Sequence, residues 1–158
     1  MILRARFSQF ETLLKRKMAE TIDMKHMRYI NLFSRISKVS TTKCFMYNNQ
    51  IIFAVPSSKI SRAIGKGAVN VRRLREILGK KIKIISMPSL DDKEGISKFV
   101  TDVVDPIEFS KIDVRNDSVV ITAGRQSKAA LIGRNRVREK ELSDILKNYF
   151  GILRFKIA

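Results

Sequence analysis

The sequence is poor in the residue types from which most catalytic and metal sites are built. Its 158 residues include one cysteine, one histidine and no tryptophan. A single cysteine excludes intramolecular disulfides and cysteine-based zinc clusters, which fits a reducing, cytoplasmic location. Cys44 lies in an apolar run, where a small core residue is favoured over a nucleophile, and His26 has no second histidine with which to bind a metal. We therefore expect no enzymatic activity, no metal and no cofactor.

Acidic side chains are also scarce. The chain has 15 Asp and Glu residues against 32 Lys and Arg residues, which gives a net charge of +17 and an isoelectric point near 10.4. This excess favours a polyanionic partner such as a nucleic acid, a ribosome or an acidic membrane surface. No stretch approaches the roughly twenty apolar residues that are needed to cross a bilayer, so we expect no membrane insertion.

The positive charge is unevenly distributed. Residues 39–87 carry ten basic and one acidic side chain, residues 88–106 carry two and five, and residues 107–158 carry eleven and six. This contrast favours a localised binding surface over a uniformly basic protein.

The chain contains an internal repeat with an offset of 68 residues. The offset aligns the Asn48-Asn49 turn with Asn116-Asp117. It also aligns a series of apolar, glycine and basic positions, pairing Ile64 with Ile132, Gly65 with Gly133, Lys66 with Arg134, Leu74 with Leu142 and Ile77 with Ile145. Gly79 and Gly151 are four residues further apart, which predicts a longer final helix in the second copy, by about one turn. The repeat predicts two domains, residues 23–88 and 89–158, after a basic N-terminal extension over residues 1–22.

Each copy is predicted to contain a helix, two strands, two helices and a third strand, an α+β fold in which a three-stranded sheet packs against helices. In the third strand, Ile82 and Ile84 alternate with Lys81 and Lys83, which predicts one apolar face and one row of lysines in water. Strands are predicted at Thr41–Tyr47, Gln50–Val55, Lys80–Met87, Ile107–Val114, Ser118–Thr122 and Leu153–Ala158, and helices at 23–37, 92–104, 126–132 and 136–149, with a further glycine-broken helix pair over 57–79.

The break in that helix pair has the properties of a phosphate site. Gly65 and Gly67 allow the backbone to approach a partner closely, and Lys66 places a cation between them. The following helix directs its N-terminal N–H groups and the positive end of its dipole at the same point.

The segment Ala63–Val71 resembles the GXXG signature of KH domains. With the second motif, Ala130–Glu139, at the observed spacing, residues 23–158 resemble the archaeal NusA-like transcription factors. This resemblance implies two tandem type II KH domains in a monomer that acts in transcription elongation and termination. The implied partners are single-stranded RNA and RNA polymerase. In KH domains the GXXG turn contacts the backbone of about four nucleotides, and the bases lie in an adjacent apolar groove.

The resemblance assigns RNA contacts to two turns and to the basic residues around them. The turns are Gly65, Lys66, Gly67 and Ala68 in the first copy and Gly133, Arg134, Asn135 and Arg136 in the second. The surrounding cations are Lys59, Arg62, Arg72, Arg73, Arg125, Lys128, Arg138 and Lys140, each of which fits a solvated helix face equally well. The groove is expected to be built from Ile60, Ala63, Ile64, Val71, Ile82 and Ile84, although the same residues suit a core.

Both turns lack the last glycine of the signature. Ala68 is small and fits that position if its φ is negative. Arg136 either blocks the approach of the RNA backbone or itself reaches a phosphate.

Two other functions fit the same sequence. A ribosome-associated or ribosome-assembly protein would use the same charge, and a polymerase-bound scaffold would make mainly protein contacts with residual RNA affinity.

Overall fold

The computed structural model describes residues 24–158, so the predicted extension over residues 1–22 and the predicted helix start at Asp23 lie outside the described residues. In the first unit, residues 24–88, a helix occupies residues 24–37 (α1). It is followed by β1 (Lys43–Tyr47), β2 (Gln50–Val55), α2 (Ile60–Ile64), α3 (Val69–Leu78) and β3 (Lys81–Ser86).

The second unit, residues 89–158, repeats this order. It contains α4 (Lys93–Val104), β4 (Lys111–Val114), β5 (Ser118–Thr122), α5 (Arg125–Ile132), α6 (Val137–Phe150) and β6 (Arg154–Ile157). Helix α6 has 14 residues and α3 has 10, which confirms the predicted extra turn. The predicted strand Ile107–Val114 is shorter than expected, because only its second half pairs with β5.

Local sequence signals account for the ends of these elements. Asn48 and Asn49 both adopt a positive φ, +49° and +59°, which is the conformation required by a two-residue hairpin between β1 and β2. Asp92 caps α4, its side chain accepting a hydrogen bond from the backbone N–H of Gly95. Gly79 and Gly151 end α3 and α6 in the left-handed conformation.

Each unit forms one three-stranded sheet with the same connections. The first sheet has the order β1-β2-β3, with β1 antiparallel and β3 parallel to β2. The second has the order β4-β5-β6 with the same orientations. The α+β fold predicted from the sequence is confirmed.

The first core lies between the first sheet and helices α1–α3. Phe33 of α1 stacks on Phe53 of β2 with ring centroids 4.4 Å apart, and Leu74 of α3 is fully buried beside them. Cys44 is buried in this core, and burial raises the pKa of its thiol to about 12, as suits a structural residue.

The second core joins the two units. Phe45, Tyr47 and Ile52 project from the opposite face of the first sheet into a cluster with Phe99 of α4 and Phe150 of α6. The same cluster continues to the buried face of the second sheet, formed by Val119, Ile121 and Ile157. The layers therefore alternate as helices, sheet, helices and sheet, with α4 and α6 between the two sheets.

Polar contacts reinforce this junction. The Tyr149 hydroxyl donates to the carbonyl of Cys44 at 3.1 Å, and the backbone N–H of Asn48 donates to the Glu141 carboxylate at 3.0 Å. Lys83 was expected to lie in a row of lysines in water, and that expectation is wrong. Its ammonium group donates to the carbonyls of Asp102, Val103 and Asp105 at 2.9, 3.3 and 2.9 Å, at the C-terminal end of α4.

No helix among residues 24–158 combines the length and the hydropathy that a membrane span requires.

Candidate nucleic-acid interface

The two glycine-broken turns have the same backbone conformation, residue for residue. The first glycines, Gly65 and Gly133, have φ of +80° and +73°. The third residues, Gly67 and Asn135, have +62° and +57°. The fourth residues of both turns, Ala68 and Arg136, have φ of +59°. The condition under which Ala68 was expected to fit, a negative φ, is therefore not met, because this turn has two successive left-handed residues before the next helix begins.

The first glycine of each turn adopts a left-handed φ and lies close to a side chain at the start of the next helix. A Cβ built on Gly65 would lie 2.9 Å from the Asn70 amide nitrogen, and one on Gly133 would lie 3.0 Å from Cγ of Arg138. A Cβ on Gly67 would meet nothing closer than the Arg72 guanidinium at 3.9 Å, so the third position is open to solvent or ligand.

Asn70 and Arg138 occupy equivalent positions and hold the turns closed. The Asn70 side chain donates to the carbonyls of Arg62 and Ala63 at 3.3 and 3.1 Å, and the Arg138 guanidinium donates to the carbonyl of Ala130 at 3.1 Å. These contacts tie the end of the short helix to the start of the long one. Asn70 was not among the residues predicted from the sequence, although the 68-residue offset pairs it with Arg138, which was.

The N-termini of the long helices point into the turns without side-chain caps. Neither Ala68 nor Arg136, the residues before α3 and α6, makes a capping hydrogen bond through its side chain. The N–H groups of Val69 and Val137, which begin α3 and α6, donate to the carbonyls of Lys66 and Arg134 within the turns. The remaining N–H groups of each first turn have no side-chain cap, and such groups suit an anion. Lys66 and Arg134, the second residues of the two turns, are exposed beside them.

Most of the predicted surrounding cations are exposed, as a phosphate-binding role requires, and the remainder are half-buried. The exposed ones are Lys59, Arg62, Arg72, Arg73, Arg125 and Lys140; Lys128 and Arg138 are half-buried. Arg136, the last residue of the second turn, is exposed as well. Arg138 has a structural contact in addition to any role toward a ligand.

The structure separates the predicted groove residues into three pairs. Ala63 and Ile82 are buried in the first core. Ile60 and Ile84 pack against the same core and also line a cleft of about 340 Å³. Ile64 and Val71 are half-buried and do not line this cleft.

Charged groups from the second unit complete this cleft. Lys98 and Asp102 of α4 and Asp105, which follows it, line the cleft together with Ile60 and Lys83. Burial lowers the pKa of Lys83, although Asp105 and Asp102 oppose this change. Burial also raises the pKa of the Asp102 carboxyl, which Lys98 and Lys83 oppose. Among residues 24–158, no three His, Cys, Asp or Glu side chains are grouped closely enough to hold a metal ion.

The sequence profile of the KH domain family matches residues 27–106, about half of the chain. The matched segment contains the first turn and ends after α4, so it includes the helix that completes the cleft. The second turn, in which Asn135 and Arg136 replace the later small residues, lies outside it.

Two curated proteins and one solved structure resemble most of the chain. A protein of Methanococcus vannielii described as a probable transcription termination protein NusA is 27% identical over 133 residues, which cover 82% of this chain and 74% of that protein. A protein of Methanocaldococcus jannaschii with the same description is 26% identical over 132 residues, 81% and 69% of the two chains. The crystal structure of APE1850 is 28% identical, covers 85% of this chain and 99% of its own, and has a TM-score of 0.59.

Proposed function

The chain belongs to the KH domain family, and on this premise we propose that it is a transcription factor that binds single-stranded RNA through both glycine-broken turns. We assign residues 23–88 and 89–158 to two tandem type II KH domains. The observation that carries the proposal is the shared conformation of the turns, each of which places an exposed cation, Lys66 or Arg134, three residues before the start of a long helix that has no side-chain cap. A phosphodiester backbone offers the anionic groups that this arrangement suits.

The role in transcription is supported by the relatives. Both are described as probable transcription termination proteins and align with four-fifths of this chain. We propose that this protein, as a cytoplasmic monomer, contacts the nascent transcript and associates with RNA polymerase during elongation and termination.

RNA binding by the turns can be tested with three variants that each change the net charge by −3. Lys66→Asp with Gly67→Asp alters the first turn, and Arg134→Asp with Asn135→Asp alters the second. Aspartate tolerates the left-handed conformation at the third position of each turn. The matched control is Lys147→Glu with Asn148→Glu, on an exposed part of α6 that lies about 15 Å along the helix from its turn.

Fluorescence anisotropy with a labelled single-stranded RNA gives the affinity at several salt concentrations. Each turn variant is expected to weaken binding by about tenfold or more, and each lost phosphate contact should reduce the slope of log affinity against log salt by about 0.7. The control should lose less affinity than either turn variant. Unchanged binding by the first-turn variant would refute the assignment, and unchanged binding by the second-turn variant alone would restrict the function to the first unit.

Association with RNA polymerase is tested by affinity purification of the intact chain from cells. We expect recovery of polymerase that decreases after nuclease treatment and in the first-turn variant. Recovery that survives both would support a scaffold instead. Co-sedimentation with ribosomal subunits in place of polymerase would support the ribosomal alternative.

A further inference from the structure

One face of the second sheet is polar and accessible to solvent. Val119, Ile121 and Ile157 point into the joint core, and the residues that alternate with them point the opposite way. We call this opposite side the exposed face of the second sheet. It is formed by Lys111, Asp113 and Arg115 along and just after β4, by Ser118, Val120 and Thr122 of β5, and by Arg154 and Lys156 of β6.

Positive charge lies on both sides of the exposed face. Strand β5 runs between β4 and β6 and presents short, uncharged side chains. Lys111 and Arg115 lie on one side of it, and Arg154 and Lys156 lie on the other. Neighbouring strands are about 4.8 Å apart, so the two cationic rows are about 10 Å apart at the backbone. Long side chains at the sides and short ones in the middle form a shallow track with cationic borders.

The exposed face has one carboxylate, which is already paired within the face. Nε of Arg115 donates to the Asp113 carboxylate at 3.4 Å. Because this is the only ion pair within 4 Å among residues 24–158, Lys111, Arg154 and Lys156 have no acidic partner there. Solubility alone is served by charges of both signs, so three unpaired cations on one sheet face indicate a binding surface.

The equivalent lysines of the first sheet show what these positions contact when another unit lies next to them. The Lys43 ammonium group, equivalent to that of Lys111, lies 5.4 Å from the centroid of the Tyr149 ring. Lys83, equivalent to Lys156, donates to three carbonyls at the end of α4. Lys111 and Lys156 keep the same charge but make no side-chain hydrogen bond or ion pair within the described part of the chain. The same sheet face is thus an interface in the first unit and an unpartnered surface in the second.

The chemistry of the exposed face suits a phosphate backbone. The cores of protein–protein interfaces depend on aromatic and large apolar anchors. The first sheet has such anchors in Phe45 and Tyr47, but Asp113 and Arg115 occupy the equivalent positions here. Phosphate oxygens accept hydrogen bonds from lysine, arginine, serine and threonine side chains, and the exposed face contains all four residue types.

We propose that the exposed face of the second sheet is a second RNA-binding surface, which holds the phosphate backbone. Its cationic donors are Lys111, Arg154 and Lys156, and its hydroxyl donors are Ser118 and Thr122. Contacts of this kind carry no base preference. The inference goes beyond the proposed function, because none of these residues belongs to a turn and the surface does not require either turn to bind RNA.

The test compares two triple variants of the full chain that each lower the net charge by 3. The sheet-face variant is Lys111→Gln, Arg154→Gln and Lys156→Gln. The matched control changes exposed positions of α1, in the layer furthest from the second sheet, and is Lys25→Gln, Arg28→Gln and Arg35→Gln. Fluorescence anisotropy with a single-stranded RNA of about 30 nucleotides gives the affinity and its salt dependence. Thermal unfolding of each variant checks that the fold is intact.

The sheet-face variant should bind this RNA about tenfold or more weakly than the wild type at about 0.1 M salt. Its slope of log affinity against log salt should fall by up to about 2, because each lost phosphate contact accounts for about 0.7. The control should lose clearly less. Equal losses in the two variants would overturn the proposal, since net charge alone would then explain them. Unchanged RNA binding with reduced recovery of RNA polymerase would assign the face to a protein partner and would also overturn it.

Combining these changes with the turn variants separates the exposed face from the turns. In a chain that carries both pairs of turn substitutions, the remaining affinity should fall further when the three sheet-face substitutions are added. If the turn variants bind RNA normally and the sheet-face variant does not, the role of the turns fails while the exposed face stands. If only the turn variants lose binding, the exposed face is refuted and the turns stand. If the wild-type protein binds no RNA, both proposals fail.

Discussion

The two sheets have the same strand order and register but differ in the polarity of one face. We call this face the outer face, the one that points away from the core between each sheet and its own unit's helices. In the first sheet this face is apolar and covered by α4 and α6. In the second sheet the equivalent face is polar and largely exposed. The 68-residue offset pairs Phe45 with Asp113, Ile52 with Val120 and Ala54 with Thr122, and the strand register pairs Lys83 with Lys156.

This difference accounts for the packing of the second unit on the first. An apolar outer face on the first sheet needs a neighbouring unit to cover it, and the helices of the second unit supply that cover. A polar face on the second sheet needs no cover, in the same way that terminal repeats of stacked proteins present a polar outer surface. The turns did not diverge in this way, since their φ values agree within a few degrees.

The largest expected contrast between the sheets concerns Phe45 and Asp113. Phe45 is 4% exposed, and its ring lies 5.7 Å from that of Phe99 and 5.5 Å from that of Tyr149. Phe45→Ala should lower the free energy of unfolding by about 3–5 kcal/mol, because a cavity is left in the joint core. Asp113→Ala should change it by less than about 1 kcal/mol, since only an exposed ion pair is lost. Urea unfolding measures both, and similar losses would contradict the assignment of covered and open faces.

Lys83 and Lys156 offer a second matched pair. Lys83→Met keeps the length of the side chain but leaves carbonyls at the end of α4 without a donor, which should cost about 1–3 kcal/mol. Lys156 is exposed at the equivalent position, and Lys156→Met should change stability by about 0.5 kcal/mol or less. Chemical denaturation of the two variants compares them, and a Lys83 variant as stable as the Lys156 variant would show that the helix cap contributes nothing.

The buried hydroxyl of Tyr47 lowers the stability of the covered face. Its hydroxyl is buried and has no hydrogen-bond partner among the described residues, and burial raises the pKa of Tyr47 to about 12. Tyr47→Phe removes this hydroxyl and should raise the free energy of unfolding by about 1 kcal/mol. A calorimetric melt checks the direction, and a clear loss of stability would mean that the hydroxyl is bonded in solution.

The similarity of the turns can be tested by stability as well as by binding. A left-handed residue other than glycine costs about 1–2 kcal/mol, and the extra flexibility of glycine in the unfolded chain offsets about 0.4–1 kcal/mol of that. Ala68→Gly and Arg136→Gly should therefore each stabilise the protein by about 0.5–1 kcal/mol. Thermal unfolding of the two variants should give equal shifts, and a stabilisation confined to one of them would show that the turns differ in strain.

The smallest expected effect concerns the pH dependence of the junction. Burial raises the pKa of Glu141, although the Asn48 N–H and Arg138 oppose the change. Because the folded-state pKa exceeds the unfolded-state value, this residue contributes stability at acidic pH that is lost as pH rises through its folded pKa. Glu141→Gln should therefore gain melting temperature relative to the wild type between about pH 4 and pH 7. Glu76→Gln, at an exposed site on α3, should show no such gain, and a gain of the same size there would contradict the role of burial.

Several features were predictable because they depend on neighbouring residues alone. The two-residue turn needed residues that tolerate a positive φ, and Asn48 and Asn49 supplied them. The strand Gln50–Val55 was predicted with the bounds that the structure has. The positions of the two glycine-broken turns followed from the repeat, and the structure gives them the same backbone conformation.

Other features could not be predicted because they depend on what packs against a residue. The alternation in β3 correctly separated Ile82 and Ile84 from Lys81 and Lys83. It could not show that the end of α4 lies over Lys83, and so the expectation of a solvated lysine was wrong. The cleft could not be predicted for the same reason, because about 40 residues separate Asp102 from Ile60 in the sequence.

The sequence by itself determined the order of the elements, the duplication and the chemistry of both turns, because periodicity and backbone preference act over a few residues. Only the tertiary structure decided which sheet face is covered, what Lys83 binds and where Asp102 lies. Those outcomes depend on burying one unit's apolar face against the helices of the next, and that contact brings together residues that no local pattern connects.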